Sequence, residues 1–190
     1  MAKSNSRFRQ YWDENQEDDI EFTVFLIHGK SPEIRKVEKF IREELKFNTI
    51  ILQDSFTGKN IIDKFKDQVW DEASCAIAIM SPEDELNGGN FRARQNVIFE
   101  IGYCSAVFDA IYNTEDEDDE DDDNDDGDPN QNGVDPVIIL KEDSIDMRDL
   151  SDLLGVEYLE YKQGSIDTTF RHLRTALNLL YEELGGEEMD

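Results

Sequence analysis

Cysteine is almost missing from this chain. Cys75 and Cys104 are the only two, each inside an apolar run, so no disulfide framework is expected and both read as small buried hydrophobes suited to a reducing compartment. Histidine is equally scarce, with two copies. That leaves no His/Cys cluster at metal-ligand spacing and makes a serine or cysteine triad a poor reading. Neither GxxxxGK[ST] nor GxGxxG occurs, which removes the two common glycine-rich phosphate cradles. No stretch approaches the roughly 18 uncharged apolar residues of a membrane span, and the opening "MAKSNSRFRQYWDENQEDD" has no apolar core of signal-peptide length. A soluble, cytoplasmic protein is the expectation. Basic residues are few, 19 against 46 acids for a net charge of -27. A field that negative argues against nucleic acid or an anionic membrane as a direct partner.

What is present is unevenly distributed. Residues 115 to 128 hold 12 acids and no base, leaving -15 for the remainder. With "PNQNG" after it, this run has the composition of a chain that cannot collapse, and 113–134 is read as an acidic disordered insertion. Residues 1–20 read as a disordered arm and 185–190 as a tail. The remainder, 21–112 with 135–184, is expected to be one domain.

Within it strands and helices alternate. "FTVFLIH" (22–28), "NTIILQ" (48–53), "SCAIAIMS" (74–81) and "DPVIILK" (135–141) are short apolar runs with the look of strands covered on both faces, and "VEYLEY" (156–161) is a weaker fifth. Between them Ile34, Val37, Ile41 and Leu45 recur at helical spacing behind Ser31 as N-cap and Pro32 in the first turn. Ile61, Ile62, Phe65 and Val69 mark a second helix. Ile166, Phe170, Leu173, Leu177, Leu180 and Leu184 mark the last. Such alternation predicts an α/β fold: a five-stranded parallel sheet in the flavodoxin-like order 2-1-3-4-5, with helices on both faces. Ligands of such sheets sit beyond the carboxyl ends of the strands, at the switch between the first and third. There the sequence places "HGKS", "SPED" at the start of the long loop "SPEDELNGGNFRARQ", and the helix that follows it.

That helix carries an anomaly. In "NVIFEIGYCSAVF" (96–108) the glutamate Glu100 lies among apolar residues, with Val97, Cys104, Val107 and Phe108 on its face. It reads either as an ion-pair partner of Arg92 or Arg94, or as a carboxylate placed where positive charge develops in a reaction. Gly102 favours the second, since an interior helix glycine costs about 1 kcal/mol against alanine and marks places of close approach. The turn His28-Gly29-Lys30 reads either as a phosphate-receiving turn or as a simple strand end. "DSFTGKN" (54–60) reads either as a phosphate-facing loop with Phe56 as a stacking platform or as a polar connection. A phosphorelay receiver is excluded, because "HGK" and "MSP" stand where its acids belong.

Taken in order, "VFLIHGK", "IILQDSFTGKNIIDKF", "AIAIMSPED" and "RARQNVIFEIGY" resemble the bacterial TIR-like domains predicted to bind nucleotides, and are similar to the TIR domains fused to STING in antiphage defence. The resemblance spans roughly residues 22 to 184. It implies a TIR fold, a catalytic Glu100, and cleavage of NAD at the nicotinamide glycosidic bond, with NAD as substrate and no cofactor or metal. It also implies that His28, Gly29 and Ser81 face the nucleotide and that Asp54 to Asn60 form the family's BB loop. Lys30, Phe56, Arg94 and Asn96 complete the expected substrate-binding set. The implied setting is defence or stress signalling in a homo-oligomer, switched by a partner protein or second messenger. A nucleoside 2-deoxyribosyltransferase, which uses a glutamate in a similar "EIG" motif, is a second reading, weakened because "FRARQN" lacks that family's aspartate and glycine. A non-catalytic TIR scaffold or nucleotide sensor is a third.

Overall fold

The computed structural model describes residues 21–52, 61–86, 89–112, 135–146 and 157–186. The expectations for the 1–20 arm, for the 54–60 loop with Phe56 and for the 113–134 insertion lie outside the described residues.

Strand β1 (Thr23–His28) is buried along its length save for His28. The reason is in its sequence: Val24 and Leu26 point to one face, Phe25 and Ile27 to the other, and both faces are apolar. The same holds for β3 (Cys75–Met80) and for a later strand, β6 (Val137–Glu142). With no polar side to turn to water, all three strands must lie inside a sheet covered on both sides.

The element order meets that demand. β1 leads to α1 (Ile34–Lys39), which runs on as one π-helical segment, Phe40–Glu44. β2 (Asn48–Ile51), α2 (Ile61–Asp71) and β3 follow. A short antiparallel hairpin of β4 (Asp84–Glu85) and β5 (Phe91–Arg92) then precedes the 18-residue α3 (Gln95–Tyr112). After β6 come β7 (Tyr158–Tyr161), a 3₁₀ turn at Ile166–Thr169 and α4 (Phe170–Glu183). The parallel sheet runs β2-β1-β3-β6-β7, which is the anticipated 2-1-3-4-5 order with the hairpin standing outside it.

Two apolar layers result. On one face Val24, Leu26, Ile77, Ile79 and Leu140 pack with Ile34, Val37 and Ile41 of the first helix and Leu173, Leu177 and Leu180 of the last. On the other, Phe25, Ile27, Ala76, Ala78 and Ile139 meet Phe65 and Val69 of α2 and Val97, Ile101, Cys104 and Phe108 of α3. The alternation of alanine and isoleucine along β3 is informative. Its small residues lie under α3 and its large ones face the opposite layer, so the helix bearing Glu100 sits close on the middle strand.

Two local readings are corrected, and one feature is new. Regular helix begins at Ile34, not directly after Ser31; the Ser31 hydroxyl instead accepts the Glu33 N–H at 3.3 Å. The first helix widens at its end, where Phe40 and Ile41 are both buried and Phe40 stacks on Phe170 at 4.3 Å while Arg174 lies over the same ring. The stretch between β3 and α3, expected to be a plain loop, forms the hairpin. Among the described residues no helix is long and apolar enough to cross a membrane.

Ile77, fully buried at the centre of β3, reports on this double burial. Ile77→Ala is expected to lower unfolding free energy by about 2–5 kcal/mol, measured by chemical denaturation, whereas exposed Thr175→Ala should change it by less than about 0.5 kcal/mol.

Candidate active site at the carboxyl edge of the sheet

At the carboxyl end of β1 the chain leaves the sheet through His28, Gly29 and Lys30. His28 is half-buried, and its Nδ1 lies 2.7 Å from the Gly29 carbonyl. A carbonyl only accepts, so Nδ1 donates its N–H to it.

Gly29 has a specific reason to be glycine. The Glu83 carboxylate lies directly against it, and a Cβ there would overlap the carboxylate atoms. Glu83 Oε1 accepts the Lys30 N–H at 2.7 Å and the hydroxyl of buried Ser81 at 2.8 Å. The hairpin holds Glu83 in place, since its own N–H donates to the Arg92 carbonyl at 3.1 Å. The far end of the hairpin is tied to the loop after β6: Asp146 N–H donates to the Phe91 carbonyl at 2.9 Å, and the Asn90 amide donates to the Asp146 carboxylate at 3.0 Å. One strand pair thus fixes both the acid over the β1 turn and the entry of α3.

Glu100 is in the second turn of α3. Val97, Ile101 and Cys104, three residues before, one after and four after, are buried, which holds that side of the helix on the sheet. The Phe65 ring on α2 lies 6.5 Å from Phe99 and 5.0 Å from Tyr103, an aromatic flank beside the glutamate. Glu100 itself is half-buried. Among the described residues no side chain hydrogen-bonds or ion-pairs with it. The ion-pair reading does not hold there: Arg92 Nε faces Asp84 at 3.9 Å, and Arg94, just before the helix, is exposed. Burial without a compensating charge pushes the Glu100 carboxyl up to about 7. The neighbouring Cys104 thiol is pushed up to about 12, mainly by burial and further by the Glu100 charge. Gly102 is exposed, and apart from its chain neighbours and its own helix backbone no atom of the described residues comes within 4 Å of where its Cβ would stand.

Residues 23–112 match the family model for "CAP12/Pycsar effector protein, TIR domain". The match runs from the start of β1 to the end of the Glu100 helix. Over these residues the chain is similar to a bacterial TIR-like domain. The chain is also similar to "Uncharacterized protein YuaY" of Escherichia coli (strain K12), 32% identical over 108 residues, covering 50% of this chain and 36% of that protein. It therefore spans about a third of that relative's length.

Within the matched residues, His28, Gly29, Lys30 and Ser81 meet at one place, joined by Glu83. Arg94 and Asn96 are exposed at the entry of α3, with no hydrogen bond to that cluster among the described residues. Phe56 lies outside the described residues. Glu83 is the residue that sequence reasoning passed over. Its tetrapeptide "SPED" was placed at the crevice, but only its serine was counted, because one loop acid among 46 carries no mark of its own. The mark is Gly29, whose missing side chain makes the room.

The raised carboxyl makes stability depend on pH. Between its ordinary 4.5 and about 7 the folded chain holds the Glu100 proton that the unfolded chain has released, so this group's contribution is full below 4.5 and is lost as pH rises through 7. Glu100→Gln is therefore expected to raise the melting temperature at pH 8 and leave it nearly unchanged at pH 4, checked by thermal denaturation at both values.

Proposed function

We propose that this protein is a TIR-domain NAD glycohydrolase acting as an effector in defence or stress signalling. The observation that carries the reading is Glu100: a half-buried carboxylate with no partner among the described residues, on the third helix of a TIR-like fold, raised to about 7 by desolvation alone. A surface or structural glutamate has no need of such a position.

The chemistry asks for little else. The ring nitrogen of the nicotinamide in NAD is already cationic, so this leaving group departs neutral without help from a strong acid. The barrier lies in the oxocarbenium-like sugar, which an ionised carboxylate stabilises, or whose attacking water it orients. In a site of lowered dielectric that charge acts more strongly than in water. Exposed Lys30 and Arg94, at the end of β1 and the start of α3, supply positive charge for the pyrophosphate, and Asn96 a neutral contact beside them. Half-buried His28 lies at the same edge. As with other effectors, activity is expected to require a homo-oligomer and an activating partner protein or second messenger.

Nicotinamide release from NAD by the purified chain, at low and high protein concentration, tests this. Wild type is expected to release nicotinamide more than linearly with concentration, and Glu100→Gln to lose at least about 100-fold. Equal release by the variant would remove Glu100 from the chemistry. Base exchange on deoxynucleosides without NAD cleavage would favour a transferase, and assembly without either reaction a scaffold.

A further inference from the structure

The two oxygens of Glu83 are treated differently. Oε1 is saturated by the Lys30 amide and the Ser81 hydroxyl. Oε2 is buried and has no hydrogen-bond partner among the described residues. A desolvated carboxylate oxygen without a donor is costly, and such an orphan calls for a group from outside the chain.

The surroundings narrow the choice of that group. The carboxylate already holds the amide that a phosphate at this turn would use, and its charge repels a phosphate. The carboxyl edge of the sheet carries further acids, with Glu33 buried beyond the end of β1 and Glu142 buried as the last residue of β6. A metal ion is poorly served, because no group of three or more His, Cys, Asp or Glu is arranged for one among the described residues. A hydroxyl donor fits both the geometry and the sign. At the switch point of a nucleotide-binding sheet, the hydroxyl donor with the right chemistry is a ribose.

We infer that Glu83 is a ribose-binding residue, its Oε2 accepting a hydroxyl of the sugar's cis-diol, and that the β1 turn takes sugar where one of the two sequence readings placed phosphate. This rests on the crevice being a nucleotide site, and it adds to the proposed reaction a determinant that Glu100 does not supply. Gly29 is part of the same device, because only a residue without a side chain lets the carboxylate settle there.

Two variants separate this role from a structural one. Glu83→Gln keeps an oxygen for Lys30 and Ser81 but replaces Oε2 with an amide that donates. Gly29→Ala displaces the carboxylate without changing its charge. The probes, titrated by calorimetry, are AMP and 2′,3′-dideoxy-AMP on the otherwise wild-type chain, with melting curves to confirm folding. The expected result is AMP binding at least about tenfold tighter than the dideoxy compound, with that preference collapsing in both variants. Equal affinities in wild type, a preference that survives Glu83→Gln, or no AMP binding at all would overturn the assignment. NAD titrated into the Glu100→Gln protein is a separate arm: no NAD binding beside an intact, Glu83-dependent diol preference defeats the hydrolase reading and leaves the ribose assignment standing.

Discussion

Burial of β1, β3 and β6 on both faces is the constraint from which the rest follows. Strands made of "TVFLIH", "CAIAIM" and "VIILKE" offer no polar face, so helices must cover the sheet on both sides and the crossovers must be parallel. Both faces are then closed to a ligand, and chemistry is left to the loops and helix turns at the carboxyl ends of the strands. Glu83 and Glu100 both belong to the segment that follows the middle strand, where a parallel sheet gathers its ligands.

The two carboxylates are held by opposite means. Glu83 is fixed by hydrogen bonds, with one oxygen committed and its backbone clamped by the hairpin. Glu100 is held by the packing of its helix, through Val97, Ile101 and Cys104, and lacks a polar partner among the described residues. The difference suits different tasks. A carboxylate that already accepts two donors is held in one orientation for a ligand, while one that is desolvated and unpaired has its charge available to a cationic centre. Position matters as much as residue type, since both are glutamates in a chain with many acids.

Much of the fold was legible in the sequence, because hydrophobic period and strand composition are one-dimensional signals. The order of the parallel strands, the apolar stripe of Ile34, Val37 and Ile41, and the burial of both cysteines follow from them directly. Glu100 was legible because a charge in an apolar helix breaks its own pattern. Glu83 was not, because its meaning depends on Gly29, 54 positions earlier in the chain, and no local pattern carries a contact across a crossover. The hairpin was missed for a related reason: two-residue strands have too few positions to show a period. The π-helical widening at Phe40–Glu44 packs against Phe170 and Arg174 on a distant helix, which no window around residue 40 contains.

The central claim is that Glu100 is a desolvated carboxylate whose ionisation governs the chemistry of the site. It is tested most directly by following the side-chain carboxyl carbon of Glu100 by NMR as pH is varied, beside the pH dependence of NAD cleavage by the same protein. The account predicts a midpoint near 7 and a cleavage rate that rises with the ionised fraction. A midpoint near the ordinary 4.5, or a rate indifferent to the titration, would contradict it.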